Sequence, residues 1–138
     1  MIIRFENFES NRIELIERNA FLGLNNLKEL NLGLNKLVEV PFLNLKKLKK
    51  LFLDCNKLKK IKQNDFINLK DLTELQVDAN EINSIEDGSF RNLKKLLELD
   101  LSMNRLDPNL NIYEAFNKIN SFCVIKGSND QRFQSNMK

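Results

Sequence analysis

The chain has 138 residues, 42% of them hydrophobic, and 22 basic against 19 acidic side chains give a formal charge of +3. That length sets one domain, and so small a charge neither demands nor forbids an acidic partner. Histidine is absent, which removes Ser–His and Cys–His nucleophiles and histidine metal ligands, and no run of 18 apolar residues exists to make a transmembrane helix.

In chain order, the first element is IRFENFESNRI from Ile3, with Glu6 where later elements have leucine. LKELNLGLNKL follows from Leu27, LKKLFLDCNKL from Leu48, LTELQVDANEI from Leu72 and LLELDLSMNRL from Leu96. The leucine spacing of 3, 2 and 5 is neither the strict alternation of a strand nor the i, i+3, i+4 pattern of a helix. It describes a chain that runs briefly extended and then turns a corner. The asparagine at each corner recurs at Asn11, Asn35, Asn56, Asn80 and Asn104, at intervals of 24, 21, 24 and 24.

A second signature precedes each start: Phe21, Phe42, Phe66 and Phe90 lie six residues before it, and Leu24, Leu45, Leu69 and Leu93 three before it. Tyr113 and Phe116 continue this spacing and point to a sixth start at Ile119, in INSFCVIKG, with Gly127 in the asparagine's place. One such unit cannot bury its own apolar stripe, whereas stacked units bury a continuous core. Each LxL then makes a short strand of a parallel sheet. Each asparagine satisfies backbone groups at the bend in its own coil and the next. The phenylalanines pack from the opposite wall, and the 21-residue unit reads as a loop deletion that Pro41 tightens.

The pattern LxxLxLxxNxL with its following Phe and Leu resembles the leucine-rich repeat family, over residues 3 to about 127. The 24-residue length is similar to the subtype common in extracellular receptor and matrix proteins. The resemblance implies an α/β solenoid, a right-handed superhelix with a parallel sheet on its concave face and short helical or irregular convex segments. It gives coils starting near 3, 27, 48, 72, 96 and 119, and a polar tail over 128–138. It also implies a non-enzymatic module that binds a protein on the concave face, with no cofactor and no metal.

By register, the outward residues are Phe5, Asn7, Glu9 and Ser10 in the first coil, then Glu29, Asn31, Gly33 and Leu34. Lys50, Phe52, Asp54 and Cys55 come next, then Glu74, Gln76, Asp78 and Ala79, then Glu98, Asp100, Ser102 and Met103. The candidate protein-binding residues among them are Phe5, Asn7, Glu29, Asn31, Leu34, Lys50, Phe52, Asp54, Glu74, Gln76, Asp78, Glu98, Asp100 and Met103. Phe5, Leu34 and Phe52 are apolar at outward positions, and such side chains on a polar face are candidate anchors. Arg4, Arg12, Lys28, Lys36, Lys49, Lys50 and Lys57 weight the early coils basic. Glu74, Asp78, Glu81, Glu98 and Asp100 weight the later coils acidic, a gradient that would steer a ligand of reversed charge.

The lysine-rich run from Lys46 to Lys62 scatters in register over the loop before the strand, the strand and the loop after it. It therefore reads as solvated surface, and a nucleic acid or other polyanion is disfavoured as a partner. The carboxylate pairs Glu86–Asp87 and Glu98–Asp100 lie on open surface with no apolar pocket to raise a pKa, so acid–base catalysis is not expected. Cys55 and Cys123 fall three coils apart, about 14 Å at ~4.8 Å per strand. That is beyond disulfide reach, so free thiols are expected. The free thiols, the lack of cysteine-rich caps and the lack of a signal-like N-terminus point to the cytoplasm, while the repeat subtype points to the cell surface. An intracellular adaptor, and self-association through uncapped ends, stay open beside the receptor-type reading.

Overall fold

In coils two to five the first leucine of each LxL lies at the centre of a three-residue strand and points inward. In the computed structural model, which describes residues 5–127 with Phe5 by its backbone alone, the elements run in order. They are β1 (Phe5–Asn7), β2 (Glu29–Asn31), β3 (Lys50–Phe52), β4 (Lys60–Ile61), β5 (Glu74–Gln76), β6 (Ser84–Ile85), β7 (Glu98–Asp100), α1 (Ile112–Ala115) and β8 (Val124–Lys126). Arg4, the Phe5 side chain and the tail 128–138 lie outside the described residues. One parallel sheet takes the order β1-β2-β3-β5-β7-β8, and β4 and β6 form a two-stranded sheet. The molecule is a solenoid, and among the described residues its return segments are turns and irregular chain apart from the β4–β6 pair and the one short helix.

Strict register follows from burial. Leu30, Leu51, Leu75 and Leu99 are each 0% exposed and sit side by side across neighbouring strands. A slip of one residue would turn all of them to solvent, at about 2 kcal/mol for each leucine. Glu6 occupies this row in β1, opposite Leu30, and is only half-buried. Behind the sheet, Phe66, Phe90 and Phe116 form a column with ring centroids 5.9 and 5.5 Å apart.

Phe116 in that column corrects the sixth coil. The register pairs Glu98 with Val124 and Leu99 with Ile125, so the last strand falls three residues later than a start at Ile119 puts it. Phe116 is therefore the counterpart of Phe90. Tyr113, which takes that role in the sequence reading, is 72% exposed on α1. The helical spacing of Tyr113, Phe116 and Ile119 is three residues throughout, so the pattern matches equally well when shifted by one member. Gly127 then lies opposite the Leu101 position, not the asparagine's.

Phe42 departs too. Its coil is the short one, and the ring stands 36% exposed under the Arg18 guanidinium, 3.9 Å from the ring centroid. Val40, Leu43 and Leu45 fill the core there instead.

Each corner costs backbone hydrogen bonds that the asparagine replaces. Asn80 Nδ2 donates to the carbonyls of Leu53, Val77 and Asp78, and its Oδ1 accepts from the Leu58 N–H at 3.0 Å. Asn35, Asn56 and Asn104 repeat this pattern. The inter-coil bonds run to the preceding coil, not the next one as the sequence reading has it. The residue before each asparagine is left-handed: Ser10, Leu34, Cys55, Ala79 and Met103 have φ between 51° and 60°.

These bonds predict unequal asparagines. Asn80→Ala strands a buried N–H and loosens three carbonyls, and should lose about 3 kcal/mol in urea unfolding. Among the described residues Asn11 bonds only within its own coil, to Phe8 and Glu9, so Asn11→Ala should lose less than about 1 kcal/mol. Equal losses would mean that the inter-coil bonds contribute little.

Candidate functional site

The outward positions of the strands line up into rows. One row runs Phe5, Glu29, Lys50, Glu74, Glu98, Val124, and the next runs Asn7, Asn31, Phe52, Gln76, Asp100, Lys126. Two residues beyond lie Glu9, Gly33, Asp54, Asp78 and Ser102, with Leu34, Cys55, Ala79 and Met103 next to them at the left-handed positions. All the candidate residues whose side chains are described therefore belong to one face.

Several of these side chains are tied down by one another. Asn7, Asn31 and Asp100 accept from the N–H two residues on, Glu9, Gly33 and Ser102 respectively, and so close the turn after the strand. Gln76 Nε2 donates to Glu74 at 2.9 Å, and Lys50 pairs with Glu74 at 3.6 Å. The Asp54 carboxylate lies over Gly33, where a Cβ would stand 2.8 Å from Oδ1. Glycine is thus the residue that lets that carboxylate reach across one coil. Phe52 is half-buried between Asn31 and Gln76. Leu34 is 46% and Met103 71% exposed, in a backbone conformation that strains large side chains.

The charge is distributed otherwise than expected. Glu9, Glu29, Asp54, Glu74, Asp78, Glu98 and Asp100 set seven carboxylates against Lys50 and Lys126. Both lysines are already paired, Lys126 Nζ lying 2.5 Å from Glu98. The early-coil cations Arg12, Lys28, Lys36, Lys49 and Lys57 sit on the flanks before and after the strands, not in the strand rows. The expected gradient along the solenoid is replaced by an acidic strand face between basic flanks. Lys126 is the residue that sequence reasoning missed. Choosing Phe116 rather than Tyr113 as the aromatic of the sixth coil would have found it.

At the centre of the face, Asp78 is flanked by Asp54 and Asp100. Its Oδ1 is occluded from solvent and has no hydrogen-bond partner among the described residues. Desolvation, then the charges of Asp100 and Asp54, push its pKa above the ordinary carboxylate value. Cys55 and Cys123 are free thiols. Burial, followed by the neighbouring Asp54 and Asp78, raises the first, and burial followed by Glu98 pushes the second up to about 11. Both stay protonated at neutral pH and are poor nucleophiles.

The repeats are matched by the model of the BspA type leucine-rich repeat region, in six copies over residues 3–120. The chain belongs to the leucine-rich repeat family. The 24-residue extracellular subtype is a finer statement that this match does not make. No curated protein sequence matches. Among solved structures, the TLR13–ssRNA13 complex is similar at a TM-score of 0.75 and 30% identity, over 89% of this chain and 18% of that one. The Drosophila Toll–Spatzle complex gives 0.66 and 25%, over 74% and 14%. The leucine-rich repeat domain of APL1B gives 0.64 and 22%, over 86% and 37%, a likeness of fold. The chain spans less than a fifth of the length of the TLR13 and Toll chains. Leucine-rich repeat folds are generally non-enzymatic interaction modules.

Relieving the carboxylate crowding should show in stability. A carboxyl with a raised folded-state pKa adds stability below the unfolded carboxylate range and loses it as pH rises through the folded value. Asp78→Asn should therefore stabilise the fold at pH 7 by about 0.5 kcal/mol, a small value because solvent screens the half-open cluster. The gain should shrink toward pH 4. Urea titrations at both pH values check this, and a gain that is independent of pH would show the crowding to be unimportant.

Proposed function

We propose that this leucine-rich repeat chain is a non-enzymatic module that binds a protein through its concave strand face, and that the partner presents a basic surface with apolar points of contact. The observation that carries the reading is the acidic cluster Asp54, Asp78 and Asp100, crowded on a rigid sheet with an Asp78 oxygen that is occluded and has no hydrogen-bond partner among the described residues, while the nearby Lys126 is already paired with Glu98. A partner's lysine or arginine would add a cation to this cluster, and charge pairs at such a face set specificity and association rate. Leu34, Phe52 and Met103 are the apolar contacts. Strained, exposed Leu34 and Met103 contribute little to the fold, which supports a role in contact.

The titles of the similar complexes name an RNA in one case and Spatzle in the other. Phosphates would meet seven carboxylates on this face, so a protein is the better-supported partner here. Affinity capture from a cell extract, with wild type beside Phe52→Ser and Asp100→Lys baits, tests the reading. A true partner should bind wild type and be lost about tenfold or more from each variant, the size of a ~1.4 kcal/mol contact. Binders retained equally by all three baits would remove the strand face from consideration.

A second reading has its own observation. At the first coil, Leu15 and Leu22 are 80% and 83% exposed beside a groove lined by Phe8, Ile13, Ile16 and Phe21. This end supports self-association, copy against copy along the solenoid. Sedimentation at increasing protein concentration should then show dimers that Leu15→Glu abolishes, whereas a monomer throughout would exclude it.

A further inference from the structure

The lysines that scatter along the sequence gather in space. Before each strand the chain makes the same tight turn: the N–H groups of Leu27, Leu48, Leu72 and Leu96 donate to the carbonyls of Leu24, Leu45, Leu69 and Leu93. The central pairs of these four turns are Asn25–Asn26, Lys46–Lys47, Lys70–Asp71 and Lys94–Lys95. The turns stack coil on coil, as two contacts show: Lys47 Nζ reaches Asn26 at 3.0 Å, and Lys95 Nζ reaches Asp71 at 2.7 Å.

Lys46, Lys70 and Lys94 thus occupy one row, about 5 Å from coil to coil. All three are exposed, and none has a carboxylate within ion-pair distance among the described residues. Lys28 and Lys49 stand on the strand side of the same turns. Their charges, after the bond and charge of Lys95, help hold the Asp71 carboxyl below its ordinary pKa. Seven lysines therefore face one aspartate along this ridge, in a chain whose total charge is only +3.

We propose that this ridge binds a linear sulfated polysaccharide laid along the solenoid axis. Lysine is a compact, mobile point charge suited to isolated sulfates, and the ridge has no arginine to grip a planar group in two places. The four turns and their flanks, residues 24–28, 45–49, 69–73 and 93–97, hold no aromatic side chain, so they offer no platform on which nucleic-acid bases could stack. An anionic membrane is disfavoured by what lies beside the ridge. Glu29, Glu74 and Glu98 occupy the strand row beside the ridge, Glu74 and Glu98 in pairs with Lys50 and Lys126, and with Asp54, Asp78 and Asp100 they leave that face acidic. A charged plane would press on those carboxylates, whereas a narrow chain follows the lysines and avoids them.

Two triple variants with equal loss of charge test the ridge on the full chain. Lys46→Gln/Lys70→Gln/Lys94→Gln removes the row, and Lys36→Gln/Lys57→Gln/Lys59→Gln removes three exposed lysines from the opposite flank. All six positions are exposed, and matched thermal midpoints verify the fold of each variant. The probes are a heparin octasaccharide by calorimetry, single-stranded oligo(dT) of equal charge, and phosphatidylserine vesicles. Wild type should bind the octasaccharide more tightly than oligo(dT) or vesicles, and the flank variant should match it. The ridge variant should bind at least tenfold more weakly, with its log–log salt slope reduced by about one per lysine removed. Equal weakening of both variants, stronger binding of oligo(dT) or vesicles, or no octasaccharide binding at low salt would each overturn the proposal.

Discussion

A single coil of this chain cannot bury its own leucine stripe, and everything else follows from that. Only a neighbour with the same spacing can cover it, so Leu30, Leu51, Leu75 and Leu99 must lie in register, and the strands that carry them must be parallel. Register in turn dictates that every other residue of each strand faces outward in a row. The outward face is thus a by-product of burial. Its side chains are free to vary, but their positions are not.

Two kinds of charge share that scaffold without meeting. Carboxylates dominate the strand rows, and lysines dominate the turns that lead into them. Within the strand rows Lys50 and Lys126 offset Glu74 and Glu98, and within the turns Lys95 offsets Asp71; elsewhere each field stands. The total charge of +3 hides this arrangement because the two sets nearly balance. Asp78 shows the energetic side. A carboxylate with an occluded oxygen between two others is unfavourable for the folded chain alone, and such local costs concentrate where a surface serves something other than its own stability.

Much of the fold was legible because the signal is repeated. Five asparagines and a column of leucines at nearly constant spacing overdetermine coils one to five, and the strand rows follow by counting. Reading failed where the repeat loses a member. The short second unit kept its Phe42 in the pattern but not in the core, because three missing residues leave the return segment too tight to turn the ring inward. The sixth coil slipped by three because Tyr113, Phe116 and Ile119 are spaced equally and nothing in the pattern says which ring stacks on Phe90. That slip hid Lys126. The charge map failed for another reason: a sum along the chain cannot distinguish a residue on a strand from its neighbour in the adjoining turn, and here those neighbours have opposite signs.

The asparagine bonds also give the solenoid a direction. Each amide completes the corner of the coil before it, so a coil is finished only by its successor. A lesion and its damage are therefore separated: loss of the amide at residue 80 is felt at Leu53 and Leu58, a full turn upstream. Inheritance within such an array is asymmetric as well. A coil duplicated with its own asparagine arrives able to repair the joint behind it, while a coil lost from the middle hands that task intact to the next.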